Sequence, residues 1–155
     1  LEALPSLIGI RETRHIHSLY RLRTEDLLSG RRFPDAVARG TYRLDIHSQE
    51  RAGTRFLYLD GREEFCSPSQ PTEKGFWRDP SLPSPEYYEI PLRSLIPPGF
   101  GNLIAAGRMI DAEEGAFGAA RVMVNLNQIG EAAGEAVSRA LESGRSMDAV
   151  QESVR

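Results

Sequence analysis

The sequence predicts a mixed α/β fold, and three observations carry that reading. Apolar and polar residues alternate through 14–22, the period of a half-buried strand. Short runs of aromatic and branched residues recur at 41–47, 55–59 and 86–90, with an apolar run at 102–106. Finally, Leu126, Ile129, Ala133, Ala136, Val137, Ala140 and Leu141 recur at helical spacing, which predicts a dominant helix over 125–143.

Taken in order, Leu7-Ile8-Gly9-Ile10 leads into the first strand, and Thr24 is expected to cap a short helix that has Glu25 and Asp26 in its first turn and stops at Gly30. The strands at 41–47 and 55–59 are placed to pair. Five of the ten prolines fall in 60–85, where the polar filler has no periodicity, so a long loop is expected there, either a lid or a disordered insertion. The strand at 86–90 is closed by Pro91 and followed by the turn Pro97-Pro98-Gly99. A short buried strand at 102–106 is broken by Gly107, and a glycine-rich connection leads to the long helix, which Gly144 ends. Within that helix Gly130 and Gly134 lie one turn apart, each costing about 1 kcal/mol relative to alanine, so a close packing partner is expected beside them. Ser146 is expected to cap a last short helix whose apolar residues are Met147, Val150 and Val154. No internal repeat is visible.

Composition bounds the function. A chain of 155 residues is one domain, and 40% apolar with 26% charged residues is a globular balance. Its strongest apolar runs are about four residues long, against roughly 20 for a membrane-spanning helix. A net charge of -3 offers no general attraction for phosphate backbones or anionic lipid, so neither nucleic acid nor membrane is an expected partner. The single Cys66 can form no internal disulfide and no thiolate cluster, which fits a reducing, cytoplasmic setting. His15 and His17 lack a nearby carboxylate or thiolate, so no metal site is expected. Lys74 is the one lysine beside 18 arginines, an excess that serves bidentate anion contacts or reflects codon bias. The chain begins at Leu1 rather than Met and is expected to be a processed or truncated piece.

The chemistry concentrates near the end. Asn102-Leu103-Ile104-Ala105-Ala106-Gly107-Arg108 followed by Gly115-Ala116-Phe117-Gly118-Ala119-Ala120-Arg121 reads as strand, glycine-rich loop and helix start, which aims backbone N–H groups and the positive end of the helix dipole at whatever fills the loop. With Arg121-Val122-Met123 and Gly130-Glu131-Ala132-Ala133-Gly134 added, this string resembles the carboxy-terminal signature of FAD-dependent oxidoreductases, a family distantly similar to the flavoprotein subunits of succinate dehydrogenase and fumarate reductase. Ile8-Gly9-Ile10-Arg11-Glu12-Thr13-Arg14, the run from Asp26 to Asp35, Asp45-Ile46-His47 and the run from Tyr88 to Pro97 resemble the same family's substrate-side segment, in the same order.

The resemblance implies a partial FAD/NAD(P)-binding fold: a substrate-side β segment over 1–100, with its proline-rich loop at 60–85, and the last strand and helices of an FAD-binding domain over 101–155. The family's Gly-x-Gly-x-x-Gly pyrophosphate loop is absent, since Gly115 and Gly118 have the wrong spacing. The implied protein is therefore the carboxy-terminal part of a flavin-dependent oxidoreductase that moves hydride equivalents between a small organic substrate and FAD. An upstream FAD-binding half is its partner, and the isolated chain is expected to be inactive and to hold FAD poorly. The competing class is a non-catalytic binding or self-assembly module with the family framework. A sheet stripped of its neighbours leaves apolar edges, so a homo-oligomer is expected in either case.

Residue by residue, the resemblance puts Ala106, Gly107 and Arg108 beside the ribityl chain, and the backbone of Asn125, Leu126 and Asn127 at the pyrimidine edge of the flavin, where a helix N-terminus stabilises the negative charge of the reduced ring. Arg121 either faces substrate or flavin, or pairs with Asp111, Glu113 or Glu114 to hold the loop. His47 either donates and accepts protons near the flavin or is structural. Val124-Asn125-Leu126 departs from the family's proline, small polar residue and cysteine, and Glu113-Glu114 stands where histidine is common.

Overall fold

In the computed structural model, residues 14–150 are described, with Asp148 and Val150 as backbone only. The family-like residues 8–13 and Val154 lie outside them.

The alternation through 14–22 is real in burial, with Ile16, Ser18, Tyr20 and Leu22 turned inward, yet the segment is not a strand. Its backbone bonds are divided between neighbours: Ile16 N–H to Met109 C=O at 2.9 Å, Leu19 N–H to Ile96 C=O at 2.9 Å, and Leu22 N–H to Asp111 C=O at 3.0 Å. Among the described residues only the isolated parallel bridge Leu22–Ala112 results, because a bend at Leu19–Tyr20 prevents a repeating ladder. Helix α1 spans Thr24–Leu28, and its N-cap is Arg23 rather than Thr24. Arg23 N–H donates to Asp26 Oδ2 at 2.9 Å and Thr24 N–H to Glu113 Oε2 at 2.9 Å, so carboxylates satisfy the helix start. Gly30 ends the helix with φ 64°, a left-handed conformation.

Two antiparallel sheets follow. Strand β1 (Ala36–Gly40), which the sequence reading missed, pairs with the late strand β6 (Tyr88–Pro91). Strands β2 (Leu44–His47), β3 (Thr54–Leu57), β4 (Arg62–Ser67) and β5 (Gln70–Phe76) form a meander in that order. Most of the expected loop at 60–85 is therefore a hairpin. Its outer strand β5 is exposed at every position and β4 buries only Phe65, so no apolar alternation advertised either strand. The hairpin is held by its ladder and by surface ion pairs such as Lys74–Glu64 at 3.9 Å. Pro71 sits on this edge, where a missing N–H costs no ladder bond. The exposed edge is thus polar and proline-bearing rather than apolar. From Trp77 the chain is irregular but tied down: Trp77 Nε1 donates to Tyr58 C=O at 2.8 Å and Arg78 Nη2 to Leu59 C=O at 2.9 Å.

A 3-10 turn at Leu92–Ser94 leads to 102–106, which is not a strand either. Among the described residues its backbone has one bond, Ala105 N–H to Leu95 C=O at 2.8 Å, and Asn102 and Leu103 are exposed. A ladder needs a second strand alongside, and among the described residues none lies there. The expected glycine-rich connection contains helix α2 (Glu114–Ala120), buried on every residue after its first. Helix α3 spans Met123–Ser143, two residues earlier than expected at its start, and Gly144 caps it with φ 63°. It buries Asn125, Ile129, Ala133 and Ala136, whereas Leu141 is 79% exposed. A Cβ on Gly130 or Gly134 would meet nothing within 4 Å, so the close partner expected there is not among the described residues. Helix α4 (Met147–Val150) packs through Met147, and Ala149 N–H donates to Ser146 C=O at 3.1 Å at its start.

The core is built from Leu22, Leu27, Leu44, Tyr88, Ile90, Leu92, Leu95, Ile96, Ile110 and Ile129, each less than 2% exposed. Helix α2 lies against β2, and α3 lies against β1. No described helix is long and apolar enough to cross a membrane.

Candidate functional site

Asp45 and His47 alternate along β2, so both side chains leave the same face of the sheet. Helix α2 crosses directly over this strand because Gly118 has no side chain: a Cβ there would collide with the carbonyl oxygen of Asp45. That approach delivers Arg121, the C-cap of α2, to the strand. Its Nη2 donates to Asp45 Oδ2 at 3.3 Å, and the guanidinium lies 5.7 Å from the centre of the Phe117 ring. On the other carboxylate oxygen, His47 Nε2 stands 3.6 Å from Asp45 Oδ1. Arg121 is 16% exposed, Asp45 23% and His47 60%, so the cluster runs from a sheltered cation to an open imidazole.

The loop-bracing alternative for Arg121 is corrected by where the acids go. Asp111 Oδ2 accepts Ser18 N–H at 2.9 Å and faces Arg21, and Glu113 caps α1. Glu114 lines a groove on the sheet instead. Arg121 and His47, separate in the sequence reading, meet on one carboxylate. Asp45, quoted there only as part of the Asp45-Ile46-His47 motif, was given no role of its own, although its i, i+2 relation to His47 on a strand was a usable signal.

In the same rung, Asp45 pairs with Phe56 on β3, then Glu64 on β4 and Lys74 on β5. The Arg43 guanidinium covers Phe56 at 4.0 Å and donates to Tyr58 Oη at 3.0 Å, while Tyr58 donates to Glu64 at 2.8 Å. Burial and the bond to Glu64 push the Tyr58 phenol above its ordinary pKa. The rung of Ile46, Arg55, Phe65 and Glu73 lines a groove of about 550 Å³ on the opposite face, with His47 at its border. The groove's cations are engaged: Arg51 grips Glu73 in a two-bond fork at 2.6 and 2.7 Å, and Arg55 holds Glu63 at 2.6 Å.

The flavin-side candidates sit elsewhere. Asn125 is fully buried, and its Nδ2 donates to Tyr88 Oη and Ala119 C=O, both at 2.9 Å. Burial raises the Tyr88 pKa to about 12. The main-chain N–H groups of Asn125 and Leu126 are taken by Val122 C=O at 3.1 and 3.0 Å. The helix-start amides without an intrahelical acceptor belong instead to Met123 and Val124, which are 78% and 65% exposed. Asn127 is exposed one position further along. Ala106, Gly107 and Arg108 form a turn with Gly107 at φ 131°, not the end of a strand. Among the described residues no hydrogen bond or ion pair links this turn to Arg121, His47 or 125–127.

His15 is spent on packing, with Nδ1 2.8 Å from Ile110 C=O and its ring edge-on to Phe117. Among the described residues there is no group of three His, Cys, Asp or Glu side chains placed to hold a metal ion.

A family model described as FAD dependent oxidoreductase matches residues 1–155. No curated protein and no solved structure matches the chain.

Proposed function

The chain belongs to the FAD-dependent oxidoreductase family, and from that premise we propose that it is the carboxy-terminal part of an enzyme passing hydride equivalents between a small organic substrate and FAD. The observation that carries the reading is the meeting of Arg121 and His47 on Asp45. Apart from the bond to Asp45, the N–H groups of the Arg121 guanidinium have no hydrogen-bond acceptor among the described residues, so they are available to an electron-rich substrate atom. His47 turns Nε2 toward Asp45, which leaves Nδ1 to take or give the substrate proton. FAD supplies the hydride-accepting ring when bound.

The residues present fit one edge of that cofactor. The amides of Met123 and Val124, which have no acceptor among the described residues, open the long helix α3, and its positive end suits the electron-rich side of a reduced flavin. Beneath them Asn125 braces the helix start, with Leu126 and Asn127 continuing the turn, and Ala106, Gly107 and Arg108 would border the ribityl side. A pyrophosphate loop does not occur in these 155 residues, so an upstream half completes the cofactor site. The test is anaerobic mixing of the protein extended upstream of Leu1 with small organic acids, alcohols and amines. Bleaching of a bound flavin by at least one of them is expected. A flavin that none reduces, or a protein that never holds flavin, would overturn the proposal.

A further inference from the structure

Resting on that reading of Arg121 and His47, we infer that Asp45 is the positioning residue of the site: it holds the Arg121 guanidinium against the sheet beside His47. Three observations carry this. Arg121 follows α2, and among the described residues Asp45 Oδ2 at 3.3 Å is its one hydrogen-bonded side-chain partner. Asp45 Oδ1 is buried and has no hydrogen-bond partner among the described residues, although His47 Nε2 stands 3.6 Å away. A buried carboxylate oxygen left open in this way is costly unless a nearby donor uses it, and the imidazole is the donor within reach. Finally, Gly118 brings α2 onto the backbone of Asp45 itself, so the approach that sets the Arg121 position is made at this residue.

The carboxylate therefore acts through its neighbours rather than on substrate. It fixes which way the planar donors of Arg121 point and sets the spacing between guanidinium and imidazole. A simple surface ion pair would do neither, because an exposed pair is weak and mobile. This one is sheltered under α2 and backed by Phe117.

The test uses the full-length, FAD-loaded protein and phenylglyoxal, which modifies accessible guanidinium groups. Labelling is read residue by residue by mass spectrometry, at the same interval below each variant's melting temperature. Asp45→Asn should label Arg121 about tenfold faster or more, the factor expected when a hydrogen bond between charged groups is lost. Arg93, held by Asp35 at 3.5 Å, should label at its original rate and serves as the internal control. Asp45→Glu, which keeps the carboxylate, should restore slow labelling. Equal labelling of Arg121 in wild type and Asp45→Asn, or labelling of Asp45→Glu as fast as Asp45→Asn, would overturn the positioning role. If labelling behaves as stated but Arg121→Lys leaves flavin reduction unchanged, positioning stands and the functional reading falls.

Discussion

Replacing Gly118 with alanine tests how the site is assembled without touching any of its side chains. A Cβ at this position would lie 2.9 Å from both the carbonyl carbon and the nitrogen of Asp45, and closer still to its oxygen. All three are backbone atoms, so no rotamer change relieves the contact. Opening 2.9 Å to the ordinary 3.4 Å lifts α2 from β2 by at least half an ångström. The Arg121–Asp45 bond is already 3.3 Å long and does not survive such a shift. Overpacking of this kind costs about 1–3 kcal/mol, and alanine returns roughly 1 kcal/mol in helix propensity. The net loss is up to about 2 kcal/mol, a fall in melting temperature of up to roughly 8 °C for a chain of this size. Thermal unfolding followed by circular dichroism, together with phenylglyoxal labelling of Arg121, measures both effects. An unchanged melting temperature with Arg121 still protected would refute the argument that Gly118 sets the site.

Arg121→Lys keeps the charge but loses the planar fork, so flavin reduction in the full-length enzyme should slow sharply while the melting temperature barely moves; rapid-mixing kinetics beside a melt decides it. Tyr88→Phe should cost about 1 kcal/mol in urea unfolding, because Asn125 keeps its bond to Ala119 C=O when the phenol is lost. Tyr88 also sets a pH dependence. Its pKa is about 12 in the fold against 10.0 unfolded, so the neutral buried phenol contributes fully below pH 10 and its contribution is lost as pH rises from 10 toward 12. Wild type should therefore lose up to about 2–3 kcal/mol relative to Tyr88→Phe across that window and end as the less stable of the two, and a difference independent of pH would contradict the burial argument. Met123 and Val124 at the start of α3 and Leu141 near its end are exposed apolar side chains, so the 155-residue chain should self-associate, and light scattering showing a strict monomer at high concentration would count against it.

The parts of the fold legible in the sequence were those where burial follows a period. Helix α3, β3 and β6 showed themselves through spaced apolar residues. The alternation of Ile16, Ser18, Tyr20 and Leu22 reported burial correctly, but a period of two cannot say whether the backbone finds a continuous ladder. Strand β5 had nothing to show, because a strand exposed at every position needs no apolar residue. Helix α2 was hidden by its own packing: Gly115 and Gly118 look like loop glycines, yet they are the points where the helix touches Thr24 and Asp45. For the site, Asp45 and His47 share a face by simple alternation. Their partner Arg121 could not be read locally, since the link depends on where α2 crosses β2.

The central claim, that this chain completes a flavin enzyme, is tested most directly by flavin content. The account predicts near-stoichiometric FAD and a yellow colour in the purified protein extended upstream of Leu1. It also predicts little or no FAD in the 155-residue chain purified in the same way. A colourless extended protein that remains indifferent to added FAD would contradict it.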